Sequence, residues 1–180
     1  STMPVKQAVA RLASEGFVDV SPRRGTFVAQ LSYQDLLETL DLRLALDLFI
    51  AQEVASCLAP EVIAEMRELH EQMAALRAAQ SDPYRRQSLD REFHLLPAGA
   101  LGNRRILQIL ERQHTHARLA RVQGPAVRWE RADQDHKAIL TALAERHPAA
   151  LREAVAQHAE HARETLIELM ASIDKTHAAG

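Results

Sequence analysis

The stretch Ser32-Tyr33-Gln34-Asp35-Leu36-Leu37-Glu38-Thr39-Leu40-Asp41-Leu42-Arg43-Leu44-Ala45-Leu46-Asp47-Leu48-Phe49-Ile50-Ala51-Gln52-Glu53-Val54-Ala55 decides the fold. Ser32-Tyr33-Gln34-Asp35 has the form of a helix start, in which a short polar side chain can take up free backbone N–H groups. Leu36, Leu37, Leu40, Leu44, Leu48, Ala51, Val54 and Ala55 then recur at helical spacing and build one apolar face. Pro60 follows and closes the run. A helix this long with one apolar face must bury that face against other helices.

Those partners are found toward the C-terminus. The pattern predicts a second helix from about Glu61 to Ala79 and a third from the Ser81-Asp82-Pro83 turn to Leu96, where Pro97 and Gly99 disturb its end. A fourth follows Leu101-Gly102-Asn103 and carries Ile106, Leu107, Leu110 and Leu119. Gly124-Pro125 breaks the chain, a fifth helix covers roughly Trp129 to Arg146, and a sixth begins at Pro148 and ends near Asp174. Six helices with short connections form an antiparallel bundle, here over residues 31–176. The composition agrees, with 47% apolar residues but only 4% aromatic ones, a bias that favours packed helices over sheets. Cys57, the single cysteine, excludes an intrachain disulfide, points to a reducing cytoplasm, and reads as a core residue beside Leu58. No apolar run reaches the length of a membrane span.

Toward the N-terminus the pattern changes. Pro4 suits a first helical turn, Val5, Val9 and Leu12 have helical spacing, and Gly16 is a stop. Phe17, Val18 and Val20 read as one short strand and Thr26 to Val28 as the next, with Pro22-Arg23-Arg24-Gly25 as the turn. Lys6, Arg11, Arg23 and Arg24 against Glu15 and Asp19 give residues 1–30 a net charge of +2, within a chain of net −2. Basic charge is thus concentrated where a nucleic-acid reader would need it. On its own, the hairpin reads as an ordinary one with a solvated basic tip.

The helical part is rich in histidine. Asp90 and His94 are four apart and share a helix face. His136 is in register with Ile139, Leu140 and Leu143, and His158 lies in the stripe Leu151, Val155, Ala162, Leu166, Leu169, Ile173. Imidazoles on apolar faces need partners. A carboxylate and three imidazoles from three helices suit a divalent ion such as zinc, nickel or manganese. The competing readings are a surface Asp/His pair and histidines merely buried in a helical dimerisation module. His70, His114, His116, His147, His161 and His177 read as solvated. The chain has no His-Glu-x-x-His, Gly-x-Ser-x-Gly or glycine-rich phosphate motif. A metal-dependent enzyme acting on a small carboxylate remains the alternative function, with Glu92 or Asp135 as its base.

Taken together, these residues resemble a known pattern. Ser1 to Leu12, Glu15-Gly16-Phe17-Val18 and Arg24-Gly25-Thr26-Phe27-Val28-Ala29 look like the end of the winged helix of GntR-superfamily transcription regulators. Arg43-Leu44-Ala45-Leu46-Asp47, Asp90-Arg91-Glu92-Phe93-His94, Asn103, Asp135 to Leu143 and His158 resemble the FadR-type ligand-binding domain called FCD. The resemblance implies a partial winged helix-turn-helix over residues 1–30 followed by the six-helix bundle. It implies a homodimeric, ligand-responsive bacterial regulator that binds operator DNA. A divalent metal, zinc foremost, would sit on Asp90, His94, His136 and His158, with a small carboxylate effector beside it. Arg43 would meet the effector carboxylate, or else simply pair with Asp47. Thr2 and Lys6 would face the major groove, and Arg23, Arg24 and Gly25 would meet phosphate or minor groove. The chain departs from the family at Thr2, at Lys6-Gln7, and at Asp47 and Asp135, where Glu is usual. The two helices that precede a recognition helix in such modules do not precede Ser1, so an N-terminally truncated DNA module is expected.

Overall fold

The computed structural model describes residues 2–14, 18–29, 33–122 and 129–178. A short helix, α1 (Met3–Ser14), precedes two strands, β1 (Val18–Ser21) and β2 (Gly25–Val28). Six helices follow: α2 (Tyr33–Val54), α3 (Pro60–Ala78), α4 (Pro83–Ala100), α5 (Arg104–Val122), α6 (Trp129–Ala144) and α7 (Pro148–Ala178). The expected stops and caps at Gly16, Ser32 and Gly124-Pro125 lie outside the described residues.

β1 and β2 pair antiparallel, Val18 with Val28 and Ser21 with Gly25, and α1 packs on β1. The turn between the strands places Arg23 at φ 65° and Gly25 at φ 114°. At the second value any residue but glycine would be strained. None of the α1 residues is buried, and Val5, Val20, Phe27 and Val28 are exposed.

The bundle's helices are bounded by local chemistry. Asp82 caps α4, its Oδ1 accepting from the Arg85 N–H at 2.8 Å, with Pro83 in the first turn. Asn103 Oδ1 accepts from the N–H groups of Arg105 and Ile106 at the start of α5. His147 Nδ1 accepts from the Ala150 N–H at the start of α7. The predicted break at Pro97 does not occur. Helix α4 runs on to Ala100, and the Leu101 N–H bonds to the Pro97 carbonyl. Proline forfeits one backbone hydrogen bond there, but the turn it carries buries Ala98 completely.

Each helix packs on two neighbours in a closed sequence, α2–α7–α6–α3–α4–α5–α2, with a further contact between α2 and α4. The buried face of α2 is rotated from the expected one. Leu36, Arg43, Ile50, Ala51, Val54 and Ala55 are buried, whereas Leu37, Leu40, Leu44 and Leu48 are half-buried. Leu-rich composition on nearly every face hides the true stripe. The core joins Ile50, Val54, Met66, Met73, Leu89, Phe93, Leu110, Leu140, Leu143 and Leu151, with every helix of the ring contributing. Cys57 is exposed rather than core, because it lies in the turn after α2 while Leu58 points inward.

One buried ion cluster ties three helices together. Asp133 of α6 pairs with Arg86 of α4 at 3.1 Å and with Arg77 of α3. Its backbone carbonyl lies 3.2 Å from His70 Nε2 of α3, which donates to it. Burial lowers the Arg86 pKa, and the charges of Asp133 and Asp90 oppose that shift. Removing Asp133 would leave Arg86, 4% exposed, without its main counter-charge. We expect Asp133→Ala to cost about 3–5 kcal/mol in urea unfolding. The half-exposed pair Arg131–Glu164 should be worth about 0–1 kcal/mol. Equal effects from the two deletions would contradict the assignment of Asp133 as an interior tie.

Candidate metal centre

The spacing of α4 aims Arg86, Asp90 and His94 along one face at successive turns. Arg86 meets Asp133 of α6. One turn further on, Asp90 and His94 meet His136, itself three residues after Asp133. The Arg86–Asp133 pair therefore sets the register that brings the histidines together. His94 Nε2 lies 3.3 Å from His136 Nε2. Asp90 Oδ1 lies 3.5 Å from His136 Nε2 and 3.9 Å from His94 Nε2. His158 of α7 joins from a third helix, its ring stacked on His94 with centroids 4.9 Å apart and equally close to His136. One ligand nitrogen from each histidine falls within 4.8 Å of the others. All four residues singled out in the sequence are therefore brought together, with Asp90 against two of the three imidazoles.

The surroundings explain how the rings are held. Phe93 packs on the face of His136 at 4.5 Å. Asp135 accepts from His158 Nδ1 at 3.4 Å, which leaves Nε2 of that ring for the cluster. The same carboxylate is 2.9 Å from His161 Nδ1. Burial works to raise the Asp135 pKa, but the hydrogen bonds and charges of His158 and His161 outweigh it and hold it below the ordinary range. His136 is lowered to about 3, chiefly by burial and then by the charge of His158, against the pull of Asp90. It is therefore a neutral imidazole with an available lone pair. Its Nδ1 is buried with no hydrogen-bond partner, so its polar interactions lie on the Nε2 edge.

This donor set fits a divalent ion. Three imidazoles and a carboxylate are hard-to-intermediate ligands suited to zinc or its neighbours. Two nitrogens on a tetrahedral zinc with bonds of about 2.0–2.1 Å stand about 3.3–3.4 Å apart, close to the His94–His136 separation.

Beside the cluster opens a small cleft of about 50 Å³, partly open to solvent. Its polar lining is Asp47, His94 and His158, and the rest is apolar. Arg43 is buried, its Nε bonded to Asp47 Oδ2 at 3.2 Å, while its Nη2 is buried without a partner. Burial raises the Asp47 pKa against the influence of Arg43 and His158. Thus the expected Arg43–Asp47 pair is present and still leaves donor capacity.

Two histidines read as solvated are not. His70 is buried on Asp133, with its ring edge 6.1 Å from His136, and His161 is half-buried on Asp135. His70 follows Leu69 and Met66 on a mixed face, and its partner lies 63 residues away, so no local signal marked it. His161 was legible as one turn after His158. Neither proposed base is free, since Asp135 is engaged by two histidines and Glu92 by Ser88 and Arg85. Thr2 precedes α1, its carbonyl accepting from the Lys6 N–H, while Lys6, Arg23 and Arg24 are exposed.

A helical bundle with a small cleft beside convergent polar groups is an arrangement in which small-molecule sites are found. The FCD domain family model matches residues 38–161, and the chain belongs to that family. The HTH-type transcriptional repressor RspR of Escherichia coli K12 is 29% identical over 97 residues, covering 53% of this chain and 42% of that protein. The match thus spans under half the length of this curated relative. The solved structure of E. coli McbR/YncC has the same fold, with TM-score 0.81 and 20% identity, covering 92% of this chain and 84% of that one. A structure described as a putative transcriptional regulator GntR from Rhodococcus sp. RHA1 gives TM-score 0.74 and 20% identity, with 93% and 81% covered. The relatives and neighbours are described as transcriptional regulators, not as enzymes.

The depressed His136 pKa has a stability consequence. Its folded value near 3 lies below the ordinary 6.5, so the unfolded chain takes up the proton first as pH falls. The stability this creates is complete above about pH 6.5 and is lost progressively toward pH 3, by at most about 1.4 kcal/mol per pH unit. Urea unfolding of chelator-treated protein across this window should show that slope, and His136→Asn should flatten it. Parallel pH profiles for the two proteins would overturn the reading of His136 as a buried neutral ring.

Proposed function

We propose that the bundle is the effector-sensing domain of a ligand-responsive transcription regulator, and that it reads a small carboxylate at a metal site. The observation that carries this is the convergence of His94, His136, His158 and Asp90 beside a cleft that His94 and His158 line, with Arg43 Nη2 buried without a hydrogen-bond partner. Asp90, His94, His136 and His158 would hold the ion, zinc foremost, with nickel and manganese as alternatives. When bound, such an ion supplies a Lewis-acid position for a carboxylate oxygen. Arg43 contributes the second positive group and can donate to the other oxygen. Asp135 fixes the tautomer and ring angle of His158, as carboxylates behind metal-bound histidines do.

The N-terminal segment supplies the DNA contact in this reading. Thr2 and Lys6 at the leading end of α1 face the major groove, and Arg23, Arg24 and Gly25 at the hairpin tip meet phosphate or minor groove. The protein acts as a homodimer in the cytoplasm. Leu42 and Phe49, a heptad apart and exposed on α2, and exposed Ile109 on the adjoining α5 suit a contact between copies. Among the described residues no helix is long and apolar enough to cross a membrane. A carboxylate that contacts α2, α4 and α7 together favours one arrangement of these helices and so changes operator affinity.

Gel shifts of the full-length protein on its own promoter region, with and without organic acids and chelator, test this reading. Binding should occur and should respond to an acid only while metal is present. Arg24→Ala should weaken binding to all sequences alike and lower the salt slope by about 1. Absence of binding under every ligand, or an acid response that survives chelation, would contradict it.

A further inference from the structure

The polar lining of the cleft beside the histidine cluster is Asp47, His94 and His158, which group together: His158 stacks on His94 and lies within electrostatic reach of Asp47. These three mark its polar end, and Arg43 pairs with Asp47. The remaining wall comes from five helices: Ile50 and Val54 of α2, Met66 of α3, Phe93 of α4, Leu143 of α6 and Val155 of α7. These side chains offer no hydrogen-bond donor or acceptor. A hydroxyl placed among them would lose its water without replacement, whereas a methylene would gain from leaving water.

We infer that the effector is an amphiphilic carboxylate: a carboxyl group at the histidine and Arg43 end, carrying a hydrocarbon or aromatic tail that fills the apolar part of the cleft. This deepens the carboxylate-sensing reading above and rests on it. The charge pattern excludes the reverse orientation, since a carboxylate in the apolar end would be buried among Val54, Met66 and Leu143 with no cation. Polyhydroxylated sugar acids are disfavoured for the same reason, because their hydroxyls outnumber the polar groups at the mouth. Asp47 does not repel the carboxylate strongly, since it is already paired with Arg43. The tail touches helices from all but one position of the ring, so filling the cleft couples ligand size to helix packing.

Isothermal titration of the zinc-loaded protein with straight-chain monocarboxylates from acetate to octanoate, and with gluconate, tests the inference. Affinity should rise by about fourfold per added methylene, the equivalent of about 0.8 kcal/mol each, until the cleft is full, and hexanoate should outbind gluconate. Ala51, which also lines the cleft, offers a second handle. Ala51→Leu should move the best chain length to a shorter acid. Short acids and gluconate binding as well as octanoate would overturn the amphiphile assignment while leaving carboxylate sensing intact. No binding of any acid would overturn both. Should Ala51→Leu fail to fold, the chain-length series on the unmodified protein still decides the matter.

Discussion

Three imidazoles and a carboxylate gathered inside a bundle of Leu, Ile, Val and Met are the constraint around which this structure is arranged. Each such group costs free energy to bury unless its lone pairs are occupied. His136 illustrates the cost, for burial, helped by the charge of His158, holds it neutral far below the ordinary imidazole range. The His94 and His136 nitrogens stand 3.3 Å apart, with Asp90 3.5 Å from His136 and the His158 ring stacked on His94. A divalent cation held by all four would satisfy them together, and the proposed metal site rests on that convergence.

Convergence on this point requires register. The ring of helices packs α4 against α3 and α5, and α6 against α3 and α7, so α4 meets α6 and α7 mainly across the interior. Asp133 bridges that interior to Arg86 and, through α3, to Arg77 and His70. A slip of one turn in α4 would break this buried pair and separate His94 from His136 together. Structural and functional polar groups are thus interleaved along the same faces, Arg86, Asp90 and His94 on one helix and Asp133 and His136 on the other.

Much of this was legible in the chain. Helix number, order and approximate limits followed from apolar spacing and from Pro, Gly, Asp and Asn at the ends. Of the four candidate ligands, His136 and His158 followed from imidazoles on apolar stripes and Asp90 and His94 from their spacing of four, while Arg43 came from the family likeness. What was not legible had a common cause. The Asp133 cluster, buried His70 and the Asp135–His161 contact join residues distant in sequence, and no local period encodes such pairings. The rotated face of α2 escaped because leucines occupy nearly every side of that helix. Pro97 misled because a buried turn outweighs one lost hydrogen bond, and Cys57 because it lies three residues past α2, in the turn that follows it.

Location of a metal tests the central claim most directly. Crystals of the zinc-loaded protein measured at the zinc absorption edge should give one strong anomalous peak per chain. That peak should lie about 2.0–2.1 Å from Nε2 of His94, His136 and His158, with Asp90 completing the set. Zinc bound elsewhere, or full-strength crystals with no peak among these residues, would contradict it.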